Sequence, residues 1–104
     1  MTGFVQIIEY RTSRPDEIRA MGEEMSADRE MTPGEGPQRI TVVQDRDDPG
    51  RYLTIVEFDS YETAMANSER EDTSDFAQRM AALCDGPPTF HNLDVIQQWE
   101  TVAH

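Results

Sequence analysis

The sequence predicts an α+β fold of the ferredoxin-like kind, β-α-β-β-α-β, with a four-stranded antiparallel sheet and its helices on one face. Three observations predict it. Four apolar runs rich in β-branched and aromatic residues (FVQIIEY, ITVVQ, YLTIVEF and FHNLDVIQQW) alternate with helical patterns in that order. An Asp48-Pro49-Gly50 cluster joins the middle two runs as a hairpin. From Arg51 to Ser68 a strand pattern then hands over to a helix pattern within a few residues.

Taken in order, Phe4 to Tyr10 forms the first strand, with Phe4, Gln6, Ile8 and Tyr10 on one side and Val5, Ile7 and Glu9 on the other. Both sides are largely apolar, so the strand is expected to be covered on both faces, and Gln6 then needs a hydrogen-bond partner or a polar cavity. Thr12 and Ser13 can cap a helix with Pro15, Asp16 and Glu17 in its first turn. Ile18, Met21 and Met25 give that helix an apolar stripe, with acids and arginines opposite, and it ends before Pro33. The TPGEGP segment, Thr32 to Pro37, reads as loop.

Ile40–Gln44 and Tyr52–Phe58 are the hairpin strands, the second interrupted by Thr54 and Glu57 on opposite sides. Asp59 and Glu62 have capping-box spacing, with Ser60 as an alternative cap. The helical arm they open loses its pattern in SEREDTSD and restarts at Thr73 and Ser74, with Phe76, Met80 and Leu83 on one face and Gly86-Pro87 as a stop. The fourth strand runs from about Phe90 to Trp99.

The bulk composition narrows the function. A length of 104 residues suits one domain over 1–104. A net charge of -12 with no lysine disfavours nucleic acid and anionic membrane surfaces and excludes lysine Schiff-base chemistry. Cys84 is the only cysteine, which rules out an intrachain disulfide and a cysteine-based zinc site and fits a reducing cytoplasm. Neither a signal-peptide pattern nor an apolar run long enough to span a membrane is present.

The run DRDDPGRYLTIVEFDSYETAMANS resembles the corresponding region of the antibiotic biosynthesis monooxygenase domain, within the dimeric α+β barrel superfamily. The resemblance implies a homodimer in which two sheets face each other as a barrel, each subunit keeping a cavity between its sheet and its helices. Many such domains carry a histidine on the helix after the third strand, where this chain has Asn67. Against haem-degrading members, Gln6 stands near an asparagine, Asn67 near a tryptophan and Met80 near the haem-ligating histidine, so haem is disfavoured and no cofactor is expected.

The candidates for proton transfer are therefore His91, Tyr10 and Glu57. Gln6, Asn67, Met80 and Trp99 are candidates for lining a ligand pocket. For each a plainer reading stands beside the functional one. His91 can be a strand-start histidine touching solvent or the dimer partner, Trp99 and Tyr10 core or interface aromatics, and Glu57 an interface ion pair with Arg39 or Arg51. Two functions follow: a cofactor-independent oxygenase acting on an aromatic or polyketide-like substrate, or a non-catalytic dimeric module that binds a small apolar metabolite or a protein partner.

Overall fold

A computed structural model of the chain describes residues 3–28 and 36–101. Its elements are β1 (Phe4–Arg11), α1 (Pro15–Asp28), β2 (Arg39–Gln44), β3 (Arg51–Phe58), α2 (Tyr61–Ser68), α3 (Glu71–Ala82) and β4 (Thr89–Asp94). The strands form one sheet in the order β2-β3-β1-β4, every neighbouring pair antiparallel. This is the expected ferredoxin-like arrangement, with the second helical arm broken into α2 and α3. Most of TPGEGP, the side chain of Met25 and His104 lie outside the described residues.

The long central pairing runs from Phe4 opposite Phe58 to Arg11 opposite Arg51. Two arginines facing each other would repel, and the hairpin turn supplies the counter-charges. Arg11 pairs with Asp48, while Arg51 reaches Asp45 and Glu9, each at 2.9 Å.

Helices pack on one side of the sheet only. Phe4, Val56, Phe58 and Ala64 form one core cluster, joined by Ile8 and Met65; Tyr10, Ile18, Met21 and Met80 form a second, joined by Ile8, Tyr52, Phe76 and Leu83. Ile8 touches both clusters. Thr12 locks the start of α1 to the end of α3: its hydroxyl donates to the Leu83 carbonyl at 2.7 Å and accepts from the Arg14 amide at 2.9 Å.

Three boundaries differ from the sequence expectation. Ser60, rather than Asp59, caps α2, its Oγ accepting the Thr63 amide at 3.1 Å. We expect Ser60→Ala to cost about 1 kcal/mol in a thermal or urea melt and Asp59→Ala less. α3 starts at Glu71, ahead of Thr73 and Ser74, because the acids Glu71 and Asp72 suit the positive end of the helix dipole.

β4 stops at Asp94 instead of continuing to Trp99. Its only neighbour among the described residues is β1, whose first residue, Phe4, already faces Asp94. One more bond, from the Val95 amide to the Gly3 carbonyl at 3.1 Å, follows. At Gly3 the chain passes so close to β3 that a Cβ would lie 2.6 Å from the Asp59 carbonyl oxygen, so a larger residue would force the backbones apart.

Candidate functional site

Alternation along the strands divides the candidate residues between the two faces of the sheet. On the helix side, β1 offers Gln6, Ile8 and Tyr10, β3 offers Tyr52, Thr54, Val56 and Phe58, and the edge strand β2 offers Ile40 and Val42. These walls and the facing sides of α1, α2 and α3 enclose a cavity of about 1140 Å³. Asn67 enters it from α2 and Met80 from α3, and both are buried. Toward β2 the cavity opens to solvent, since Ile40 and Val42 line it yet stay 55% and 60% exposed.

Most of the lining is apolar, and the polar groups in it are few. Gln6 donates from Nε2 to the Asn92 oxygen at 3.1 Å. The Tyr10 hydroxyl lies 3.2 Å from the Thr54 hydroxyl, and its ring stacks on Tyr52 with centroids 5.9 Å apart. Burial pushes the Tyr10 phenol above its ordinary pKa, which keeps it protonated at neutral pH, able to donate a hydrogen bond and unable to act as a base. Among the described lining residues there is no histidine or cysteine, and Glu23 is the one carboxylate. Met80 and the stacked, hydrogen-bonded tyrosines Tyr10 and Tyr52 are therefore the only described lining side chains of an axial haem-ligand type, a poor fit for that group.

Sequence reasoning missed Glu23 and its neighbour Arg19. The sequence expects both on the solvent side of α1, whereas they flank the Ile18–Met21 stripe and line the cavity. Their spacing of four residues on one helix side was the available signal.

The other candidates lie elsewhere. His91, expected at the cavity mouth, is on the opposite face of the sheet, its Nε2 3.3 Å from Glu9 Oε1. Glu57 is on that face too, 3.6 Å from Arg39 of the same chain. Trp99 follows the end of β4, stands 80% exposed and does not line the cavity of its own chain.

Among the described residues, the face that holds His91 and Glu57 carries no helix. Its centre is apolar, with Val5, Ile7, Leu53, Ile55, Val43 and Leu93, and ion pairs stand at its ends. At one end Glu9 is held below the usual carboxylate range, chiefly by the Arg51 hydrogen bond and then by His91; Asp45 is lowered by the Asp47 amide and then by Arg51. Carboxylates lowered by folding stabilise the fold above their unfolded pKa and lose that contribution as pH falls through the folded value. Melting temperature is thus expected to drop below about pH 4, and Asp45→Asn, measured over the same series, to flatten that acid limb.

No protein-family model matches the sequence, and no curated protein matches it either. Solved structures do match the fold. SnoaB, a cofactor-independent oxygenase from Streptomyces nogalater, superposes with a TM-score of 0.74 at 15% identity, over 94% of this chain and 97% of that one. A protein assigned as an antibiotic biosynthesis monooxygenase, from Bordetella bronchiseptica, gives 0.73 at 13% identity, over 93% and 100%. The fold is that of the antibiotic biosynthesis monooxygenases. A conserved protein from Methanosarcina mazei Go1 shares it too, with a TM-score of 0.74 at 9% identity over 89% of this chain and 92% of that one. At such identities the monooxygenase likeness speaks for the backbone, and the chemistry rests on this chain's own side chains. Among the described residues no helix is long and apolar enough to cross a membrane, and no three His, Cys, Asp or Glu side chains converge as metal ligands.

Proposed function

We propose that the chain is a cofactor-independent oxygenase of the antibiotic biosynthesis monooxygenase kind, acting in the cytoplasm as a homodimer on a phenolic or polyketide-like aromatic substrate. The observation that carries this reading is the cavity: apolar and aromatic walls with a minority of polar groups, slightly above the usual size for small-molecule sites. SnoaB, which shares the fold, is described as cofactor-independent.

The reaction this cavity suits is conversion of a phenol ring carbon to a quinone carbonyl, with one oxygen atom of O₂ entering the product and the other leaving as water. The substrate itself supplies the electrons. Glu23 accepts the phenol proton, the resulting phenolate reduces oxygen, and Gln6, Asn67 and the protonated Tyr10 orient the ring oxygens and keep water away.

Homodimerisation rests on the uncovered sheet face, where six apolar side chains have no helix above them. A second copy laid on that face would bury them and enclose Glu57–Arg39 and Glu9–Arg51 as ion pairs.

Oxygen uptake and incorporation of labelled O₂ with a panel of naphthols whose para carbon is free, alongside Asn67→Ala, test the chemistry, and sedimentation at micromolar concentration tests the dimer. One observation favours a second reading: His91 and Glu57, two of the expected proton-transfer groups, lie outside the cavity. Saturable binding of such a naphthol without oxygen uptake would make the chain a non-catalytic binding module.

A further inference from the structure

Five residues of α1 line the cavity, Pro15, Ile18, Arg19, Gly22 and Glu23, at the i, i+3, i+4, i+7 and i+8 spacing of one helix face. Two of them do nothing for the core. Gly22 stands in the middle of α1, where a glycine weakens a helix relative to alanine. The usual reasons for a glycine are missing, since its φ is not positive and a Cβ built on it would meet nothing within 4 Å. Its missing side chain leaves open space in the cavity wall, with Arg19 on one side and Glu23 on the other.

Arg19 is the only cation among the described lining residues, in a chain of net charge -12. Its side chain is 70% exposed although it lines the cavity, which places it where the cavity meets solvent. Its ion pair with Asp16, at 3.4 Å between two exposed side chains, is of the surface kind that contributes little and yields readily. A guanidinium carries five N–H donors in a planar fork that matches a carboxylate with two parallel bonds. The field of an acidic chain repels anions, so an anionic group on a ligand would be held only beside such a cation. One positive charge next to Glu23 balances a carboxylate, whereas a doubly charged phosphate would be left in excess.

We infer that the ligand of this cavity carries a carboxylate bound by Arg19, and that Gly22 is the notch in which that part of the ligand lies against α1. This rests on the oxygenase reading above and narrows its substrate to a phenolic aromatic acid. Arg19 and Glu23 are four residues apart on one helix, with about 6 Å between such Cβ atoms. A carboxylate on Arg19 and a phenol on Glu23 therefore belong on different rings of a fused system rather than on adjacent carbons. Arg19 and Gly22 then determine specificity, reading the substituents, while the aromatic wall of the sheet holds the rings.

The test uses 5-hydroxy-2-naphthoate and 5-hydroxy-2-naphthamide, which match in shape and keep a free carbon para to the hydroxyl. Calorimetry under nitrogen should show the acid binding the wild type about tenfold more tightly than the amide, by a margin that shrinks with added salt. Arg19→Gln should abolish that margin by weakening the acid alone. Gly22→Leu should weaken both ligands about tenfold without lowering the melting temperature, because leucine favours the helix and fills only the notch. Equal binding of acid and amide by the wild type, or a preference that survives Arg19→Gln, overturns the carboxylate assignment. Undiminished binding to Gly22→Leu overturns the notch. Measurements in air separate this inference from the reading beneath it: oxygen uptake with no preference for the acid leaves the oxygenase standing and removes the anion site. An Arg19-dependent preference without oxygen uptake does the reverse, and failure of both ligands to bind overturns both.

Discussion

Phe58→Ala is expected to destabilise the protein by about 3–5 kcal/mol, the range for emptying a buried phenylalanine site. Phe58 is 2% exposed and is the largest fully buried side chain. It ends β3, packs against Phe4 with ring centroids 6.3 Å apart and belongs to the same core cluster as Ala64 of α2. Small domains hold only about 5–15 kcal/mol in total, so this one truncation removes a large share. For a chain of this length the melting temperature should fall by about 12 °C or more in calorimetry. Tyr61→Ala provides the contrast: Tyr61 meets Phe4 edge-on at 5.3 Å but is half exposed, and its loss should cost about 1 kcal/mol. Equal losses at the two positions would mean that the cluster is not organised around Phe58.

The second large effect is chemical. Glu23→Gln keeps shape and hydrogen-bonding capacity but removes the only carboxylate among the described cavity-lining residues. Oxygen uptake with a responsive naphthol should fall about 10²-fold, the usual loss for a general base and equivalent to about 2.7 kcal/mol of barrier. Stability should hardly change, because Glu23 is exposed on α1. On the proposed mechanism Tyr10→Phe should cost less rate, since a phenol kept neutral by burial can donate a hydrogen bond but cannot accept a proton. A Glu23→Gln protein with undiminished uptake would remove that carboxylate from the reaction.

The strands and the hairpin were legible because period-2 alternation and the Asp-Pro-Gly turn are local signals. β3 came out within one residue at its start and identical at Phe58 for that reason. The end of β4 was not legible. Its alternation continues to Trp99, but a strand lasts only as long as its neighbour, and that depends on where β1 begins. The site divides along the same line. Gln6, noted as a polar residue on an otherwise apolar strand, lies in the cavity, as do Tyr10, Asn67 and Met80. His91 and Glu57 fell on the far face because the face of a strand is set by register against its neighbours, which a single sequence leaves open. Glu23 escaped notice because a charged residue beside an apolar helical stripe looks like any solvated residue until the cavity beneath it is known.

The exposed β2 edge also bears on how the protein behaves in the test tube. Edges of this kind invite indiscriminate stacking of chains into aggregates unless something holds the chains apart, and β2 has neither a lysine nor a proline to blunt it. What remains is collective repulsion from the net charge of -12. That protection vanishes near the isoelectric point of about 4.3, whereas Glu9 and Asp45, both held below the ordinary carboxylate range, keep their charge and their hold on Arg51 to lower pH. Precipitation at low pH would then reflect lost charge at an open sheet edge as much as unfolding, and light scattering followed beside circular dichroism separates the two.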